Sequence, residues 1–134
     1  MYGVNAQTLP VELNRWKDEL VVLEFWNPAP ECQNCNSAQR FFNQLELKYW
    51  GQKVHCVTID TDVTSDIARQ YGVTELPAFV FFRNKTAVHT YIGHNHRDVD
   101  YLIQEFKSEM EATGSTDQAA QPTQAARFVR GRRL

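Results

Sequence analysis

The chain has 134 residues, 43% of them hydrophobic and 12% aromatic, which is enough for the core of one ordinary domain without disulfide staples. The formal net charge of -2 gives no overall attraction to nucleic acid. No run approaches the roughly 18 apolar residues of a membrane span, so we expect no transmembrane segment. The N-terminus has neither a secretory signal nor an Arg-rich presequence. We therefore expect a cytoplasmic location, with a mitochondrial or cilium-associated assembly as the alternative.

The first elements in chain order are a weak edge strand, a helix and a buried strand. The edge strand is expected within residues 2–6. Thr8 and Pro10 favour a helix start, because proline is well tolerated in the first helical turn. An unbroken apolar run interrupted only by Glu24, residues 20–26, predicts a strand of a parallel sheet that is covered on both faces.

The next stretch carries a CxxC motif at the start of a helix. Apolar residues recur at helical spacing after the motif, at Ala38, Phe41, Phe42, Leu45 and Tyr49. Cys32 and Cys35 are therefore expected close together at the N-terminus of this helix, within the range that a disulfide tolerates. The helix dipole would stabilise a thiolate there. We expect Cys32 to be the attacking nucleophile and Cys35 the resolving cysteine.

The second half of the chain predicts a strand, a helix, a hairpin and a last helix. The strand covers residues 54–59, and a short helix that Thr64, Ser65 or Asp66 can cap follows it. Residues 78–82 and 87–92 predict two antiparallel strands around a tight turn. The last helix is expected to begin near Asn95 or His96 and to reach residue 110. The alternation of strands and helices indicates an α/β fold.

Beyond residue 110 the composition becomes polar and low in complexity. We predict a domain over 1–110 followed by a linker and tail over 111–134. Residues 1–126 carry 10 basic and 16 acidic side chains, whereas the last eight residues include four arginines and no acidic residue. A tail that binds a large complex is one interpretation, with a solvated tail as the alternative. Its candidate contact residues are Arg127, Phe128, Arg130, Arg132 and Arg133.

Two further residues point to chemistry near the motif. Glu24 lies within an apolar strand, so burial is expected to raise its pKa and to make it a proton shuttle for Cys35. Pro77 precedes the apolar strand AFVFF, where a cis peptide bond would turn the chain at the edge of the sheet. An ordinary trans proline at the start of the strand is the alternative, and the order of the elements favours cis.

With these features in this order, the chain resembles the thioredoxin family over about residues 2–110. The shared motifs are EFW before the CxxC, VTID after the next inner strand, YGVTELPAFVFF with its proline, and Gly93 before the last helix. The resemblance implies a central mixed sheet of four to five strands flanked by helices. It also implies a redox dithiol that needs no cofactor, protein thiols or disulfides as substrates, and a thioredoxin-reductase-like electron donor. Substrates would dock at Leu76, Pro77, Trp26 and Gly93.

The motif itself departs from the family pattern, since ECQNC stands in place of WCGPC. Glu31 replaces the tryptophan that shields the dithiol, and its charge opposes a thiolate at Cys32. These departures favour a second hypothesis, in which the protein is a redox-inactive or redox-regulated adaptor of a larger assembly.

A zinc site is a third hypothesis for the cysteines. Cys32 and Cys35 would be joined by Cys56 or His55, together with a histidine after Gly93, either His94 or His96. His55 and Cys56 are adjacent in a strand and point to opposite faces, so one of them at most could take part. We predict no metal.

Overall fold

A computed structural model describes residues 2–28, 30 and 32–113 of the chain. Ala29, Glu31 and the basic tail lie outside these residues. The tail residues concerned are Arg127, Phe128, Arg130, Arg132 and Arg133.

Five strands and four helices make up the described part of the chain. Their bounds are β1 (Tyr2–Gly3), α1 (Leu9–Arg15), β2 (Leu20–Trp26), α2 (Cys35–Lys48), β3 (Val54–Asp60), α3 (Asp66–Gln70), β4 (Ala78–Arg83), β5 (Thr86–Ile92) and α4 (His96–Thr113). Each predicted element is present. The last helix continues past residue 110, where the domain was predicted to end.

The strands form one mixed sheet in the order β1-β3-β2-β4-β5. The first three strands run parallel, and β4 and β5 are antiparallel to their neighbours. The predicted mixed sheet flanked by helices is confirmed. Since β2 is central, all its residues before Trp26 are buried, which explains its unbroken apolar sequence.

Each face of the sheet has its own hydrophobic core. The core under α2 and α4 includes Leu20, Val22, Phe42, Cys56, Phe79, Phe81, Ile103 and Phe106. The core on the opposite face includes Leu13, Val21, Leu23, Phe25, Val57, Ala68, Val80 and Phe82. The alternation along β2 thus sends even-numbered side chains toward α2, and this places Glu24 beneath that helix.

The edge strand β1 is shorter than predicted, because Asn5 ends it. The Asn5 side chain accepts hydrogen bonds from the backbone N–H groups of Gln7 and Thr8, both at 2.9 Å. Such a turn competes with strand pairing for the same backbone groups. As a result β1 pairs only with Val57 and Thr58 of β3.

The β4–β5 hairpin closes through a two-residue turn at Asn84 and Lys85. Both residues have positive φ, at 55° and 67°, as the turn that matches the right-handed twist of a hairpin requires. None of the helices in the described ranges has an apolar stretch long enough to span a membrane.

Candidate active site

The CxxC motif lies where the chain leaves the central strand and enters α2. Cys35 is the first residue of the helix, and Cys32 lies in the turn before it. A disulfide bond joins the two cysteines, whose Cα atoms are 5.4 Å apart. The Cys35 N–H also donates a hydrogen bond to the Cys32 carbonyl oxygen at 3.3 Å. Cys32 is 4% exposed and Cys35 is 0% exposed, so the first cysteine is the one that retains contact with solvent.

The loop before the dithiol is anchored to the end of β3. The Trp26 carbonyl oxygen accepts a hydrogen bond from the Thr61 N–H at 2.9 Å. The Asn27 side chain returns a hydrogen bond to the Thr61 carbonyl oxygen. These bonds fix the point at which the loop departs, and they leave the Trp26 side chain half-buried at the edge of the site.

Glu24 is fully buried beneath α2. Its register partners on the neighbouring strands are Thr58 of β3 and Phe79 of β4. Burial raises the pKa of Glu24 to about 8, because the carboxylate loses its hydration. The neutral acid therefore predominates at neutral pH, and the group can exchange a proton within the physiological range.

One side chain hydrogen-bonds to this buried acid. Gln39 Nε2 donates to Glu24 Oε1 at 2.9 Å, whereas Glu24 Oε2 is buried and has no partner among the described residues. Sequence reasoning did not find Gln39. The available signal was its spacing, since Gln39 follows Cys35 by four residues and so lies on the same face of α2.

Pro77 lies at the same edge of the sheet as the dithiol loop. The Leu76–Pro77 peptide bond is cis. Ala78 pairs with Phe25, which sets Pro77 next to the end of β2 from which the loop departs. The Pro77 carbonyl oxygen accepts a hydrogen bond from the Gly93 N–H at 3.1 Å.

The four predicted docking residues thus come together at one edge of the sheet. Pro77 is buried, whereas Leu76, Trp26 and Gly93 are half-buried. Their part in substrate docking stays a prediction.

The remaining candidate ligands are dispersed. Cys56 is a buried free thiol in the core under α2. The His55 ring stacks on Trp16 on the opposite face of the sheet, with centroids 4.1 Å apart. His94 and His96 are exposed. Within residues 2–28, 30 and 32–113, no three His, Cys, Asp or Glu side chains are grouped so that they could hold a metal ion.

These features define a thioredoxin-fold protein with a CxxC disulfide. They are the order of the strands, the disulfide at a helix N-terminus, the acid buried under that helix and the cis-proline at the same edge of the sheet. The thioredoxin family model matches residues 3–108, and the chain belongs to the thioredoxin family.

Individual relatives agree with the family match. The chain is 34% identical to thioredoxin H5 of Oryza sativa subsp. japonica over 107 residues, which cover 73% of this chain and 76% of the relative. It is also 34% identical to a thioredoxin of Malassezia sympodialis over 76 residues, which cover 57% of this chain and 70% of the relative. The X-ray structure of Fasciola hepatica thioredoxin superposes with a TM-score of 0.70 at 24% identity, and the match covers 78% of this chain and 98% of that structure.

Proposed function

We propose that the protein is a thiol–disulfide oxidoreductase that acts on protein thiols and disulfides. The observation that carries this proposal is the Cys32–Cys35 disulfide at the start of α2. Both sulfurs belong to a short segment that is fixed by β2 on one side and by the helix on the other. The bond can therefore open and close while the surrounding backbone keeps its position.

In the reduced protein, the Cys32 thiolate attacks one sulfur of a substrate disulfide. A new S–S bond forms between Cys32 and the substrate, and the substrate's other sulfur leaves as a thiolate that takes a proton from solvent. Cys32 is suited to this step, because its side chain keeps some exposure to solvent and it lies just before the N-terminus of α2. The helix dipole stabilises a thiolate there.

In the second step, Cys35 loses its proton and attacks Cys32. The Cys32–Cys35 bond forms, the mixed disulfide breaks, and the second substrate sulfur leaves as a thiolate. The substrate gains two electrons and the dithiol loses two. Glu24 in its charged form is the group we assign to accept the Cys35 proton, because Gln39 ties it to α2 one turn beyond Cys35.

The protein then needs a dithiol reductase as electron donor to return two electrons. Substrate peptides would lie beside Pro77, at the edge of the sheet that Leu76, Trp26 and Gly93 share. The hydrogen bond from the Gly93 N–H to the Pro77 carbonyl oxygen supports this placement, because it fixes the backbone next to the dithiol loop.

The test is an insulin-reduction assay coupled to thioredoxin reductase and NADPH. We expect turnover by the wild type, no turnover by Cys32→Ser, and full turnover by Cys56→Ala, the matched control for loss of one thiol. Cys35→Ser should accumulate a mixed disulfide that mass spectrometry detects. A wild type no faster than Cys32→Ser would refute the proposal.

The adaptor hypothesis is our second candidate function, and the departures in sequence favour it. The ECQNC motif lacks the tryptophan and proline of the family pattern, and the basic tail could bind an acidic surface of a larger assembly. Deletion of 114–134, which leaves α4 intact, should then abolish co-purification of the partner. An unchanged complex would exclude the tail as the contact.

A further inference from the structure

Gln39 of α2 makes a side-chain hydrogen bond to the buried Glu24. It lies on the same helix as Cys35, is half-buried, and points its amide into the core at Glu24. Glu24 is 0% exposed, so the carboxyl has no water shell to replace a lost hydrogen bond. Under such conditions a single donor decides how well the charged form of the acid is tolerated.

The contact also fixes which oxygen of the acid is available. Oε1 accepts the amide hydrogen of Gln39, and Oε2 has no partner among the described residues. When the acid is neutral, its proton belongs on Oε2, because Oε1 is already an acceptor. When the acid is charged, the amide still donates to Oε1, and that bond becomes charge-assisted and stronger. The same contact therefore serves both protonation states but favours the charged one.

The groups around Glu24 make this contact the principal polar one. The titratable groups that the facing elements bring to this core include Cys56 of β3, Tyr49 of α2 and the partly buried Tyr91 of β5, whereas Cys35 of α2 is held in the disulfide. Phe79 faces Glu24 from β4. The residues that α4 contributes to this core are apolar: Val99, Leu102, Ile103 and Phe106. No lysine, arginine or histidine of the described ranges hydrogen-bonds or ion-pairs with Glu24.

Helix geometry links the contact to the dithiol. Residues four apart in a helix lie one above the other, about 5–6 Å between Cβ atoms. Gln39 is thus the neighbour of Cys35 along α2, and its hydrogen bond ties the Glu24 carboxyl to the helical turn that follows the inner cysteine.

We propose that Gln39 is a positioning residue for the exchange reaction, one that orients the Glu24 carboxyl toward Cys35 and favours its proton-accepting form. The inference rests on the proposed oxidoreductase function. Gln39 touches neither substrate nor sulfur in this assignment, and it acts through Glu24 alone.

The test is a pH titration of the Glu24 carboxyl by carbon-detected NMR, in the full chain without substrate. The Glu24→Gln variant, which lacks the carboxyl signal, assigns the resonance. Gln39→Leu removes the donor and should move the titration midpoint up by about one pH unit. Gln39→Lys supplies a charged donor at the same place and should move the midpoint down by about one unit or more. Gln44→Leu makes the same chemical change on the exposed side of α2 and should leave the midpoint in place.

The second readout is the pH profile of insulin reduction, which should shift in the same direction as the titration for each variant. A merely structural role would lower activity at every pH and would not give opposite shifts for leucine and lysine. Unmoved midpoints in both Gln39 variants overturn the proposal, and so do midpoints that move while the activity profile stays fixed. Shifted midpoints in a protein whose wild type reduces no insulin would refute the oxidoreductase function instead.

Discussion

Glu24 and Cys56 lie on the same face of the sheet, on adjacent strands. Cys56 pairs with Val22, the residue two positions before Glu24 on β2. Both side chains point into the core under α2, and the charge of Glu24 is one cause that raises the pKa of the Cys56 thiol, after burial and Glu46. The third thiol of the chain is therefore kept protonated by its surroundings.

We expect Cys56 to be unreactive in the native protein. After mild reduction, an alkylating reagent at about pH 8 should label Cys32 readily, since thiolates rather than thiols react. Cys56 lies in the core under α2, where burial raises the pKa of its thiol, so it should be labelled only when urea unfolds the chain. Mass spectrometry of digested samples measures each site. Rapid labelling of Cys56 without urea would contradict the burial described here.

The buried acid should make stability depend on pH. Burial raises the pKa of Glu24 from 4.5 to about 8, so the folded protein binds a proton that the unfolded chain releases at lower pH. The resulting stabilisation is fully present below about pH 4.5 and is lost as the pH rises through about 8. Within that window the free energy of unfolding should fall by at most roughly 1.4 kcal/mol per pH unit.

Urea unfolding of the oxidised protein at a series of pH values measures this dependence. Glu24→Gln mimics the neutral acid and should flatten the curve, so that the variant exceeds the wild type in stability near pH 9 by an amount on the order of a few kcal/mol. Glu75→Gln, at an exposed position, is the control and should follow the wild type. Parallel curves for all three proteins would show that Glu24 is charged in the fold.

Packing between α2 and the sheet should dominate the stability of the site's scaffold. The Phe42 ring is 0% exposed and meets Phe79 edge-on, with centroids 5.1 Å apart. Phe42→Ala should therefore cost about 3–5 kcal/mol in chemical denaturation. Leu47 lies on the same helix but is 74% exposed, and Leu47→Ala should cost no more than about 0.5 kcal/mol. Similar losses for the two variants would mean that α2 packs differently.

Gly93, which hydrogen-bonds to Pro77, should resist substitution. Its φ is 150°, and an added Cβ would approach the Tyr91 hydroxyl oxygen at 2.9 Å. Gly72 also has positive φ, at 76°, but nothing lies within 4 Å of an added Cβ there. Both alanine variants should be destabilised by backbone strain of about 1–3 kcal/mol. The Gly93 variant should lose more, which thermal or urea unfolding would reveal.

The strands and the dithiol segment were predictable because their sequence signals are local. The unbroken apolar sequence of β2 indicates a strand that is buried on both faces, and the spacing of apolar residues in α2 indicates a helix with one buried face. The turn at Asn84 carries its own signal as well, since asparagine tolerates positive φ. Membership of the thioredoxin family, suggested by the order of these motifs, is confirmed.

The parts that sequence reasoning missed depend on contacts between distant segments. The hydrogen bond between Gln39 and Glu24 joins residues 15 positions apart, so the helical spacing of Gln39 and Cys35 could indicate their shared face but not the partner of the amide. The early end of β1 has a local cause in Asn5, but the competition between its turn and strand pairing is decided by the whole sheet.

The spacing of Cys35 and Gln39 determines where the site tolerates inserted residues. Both residues are carried by one continuous helix, in which each inserted residue rotates everything after it by about 100°. One extra residue between them would swing the amide away from the acid and out of the core. The segment between Trp26 and Cys32 precedes the helix, so additional residues there leave the spacing of the amide and the inner cysteine along α2 unchanged.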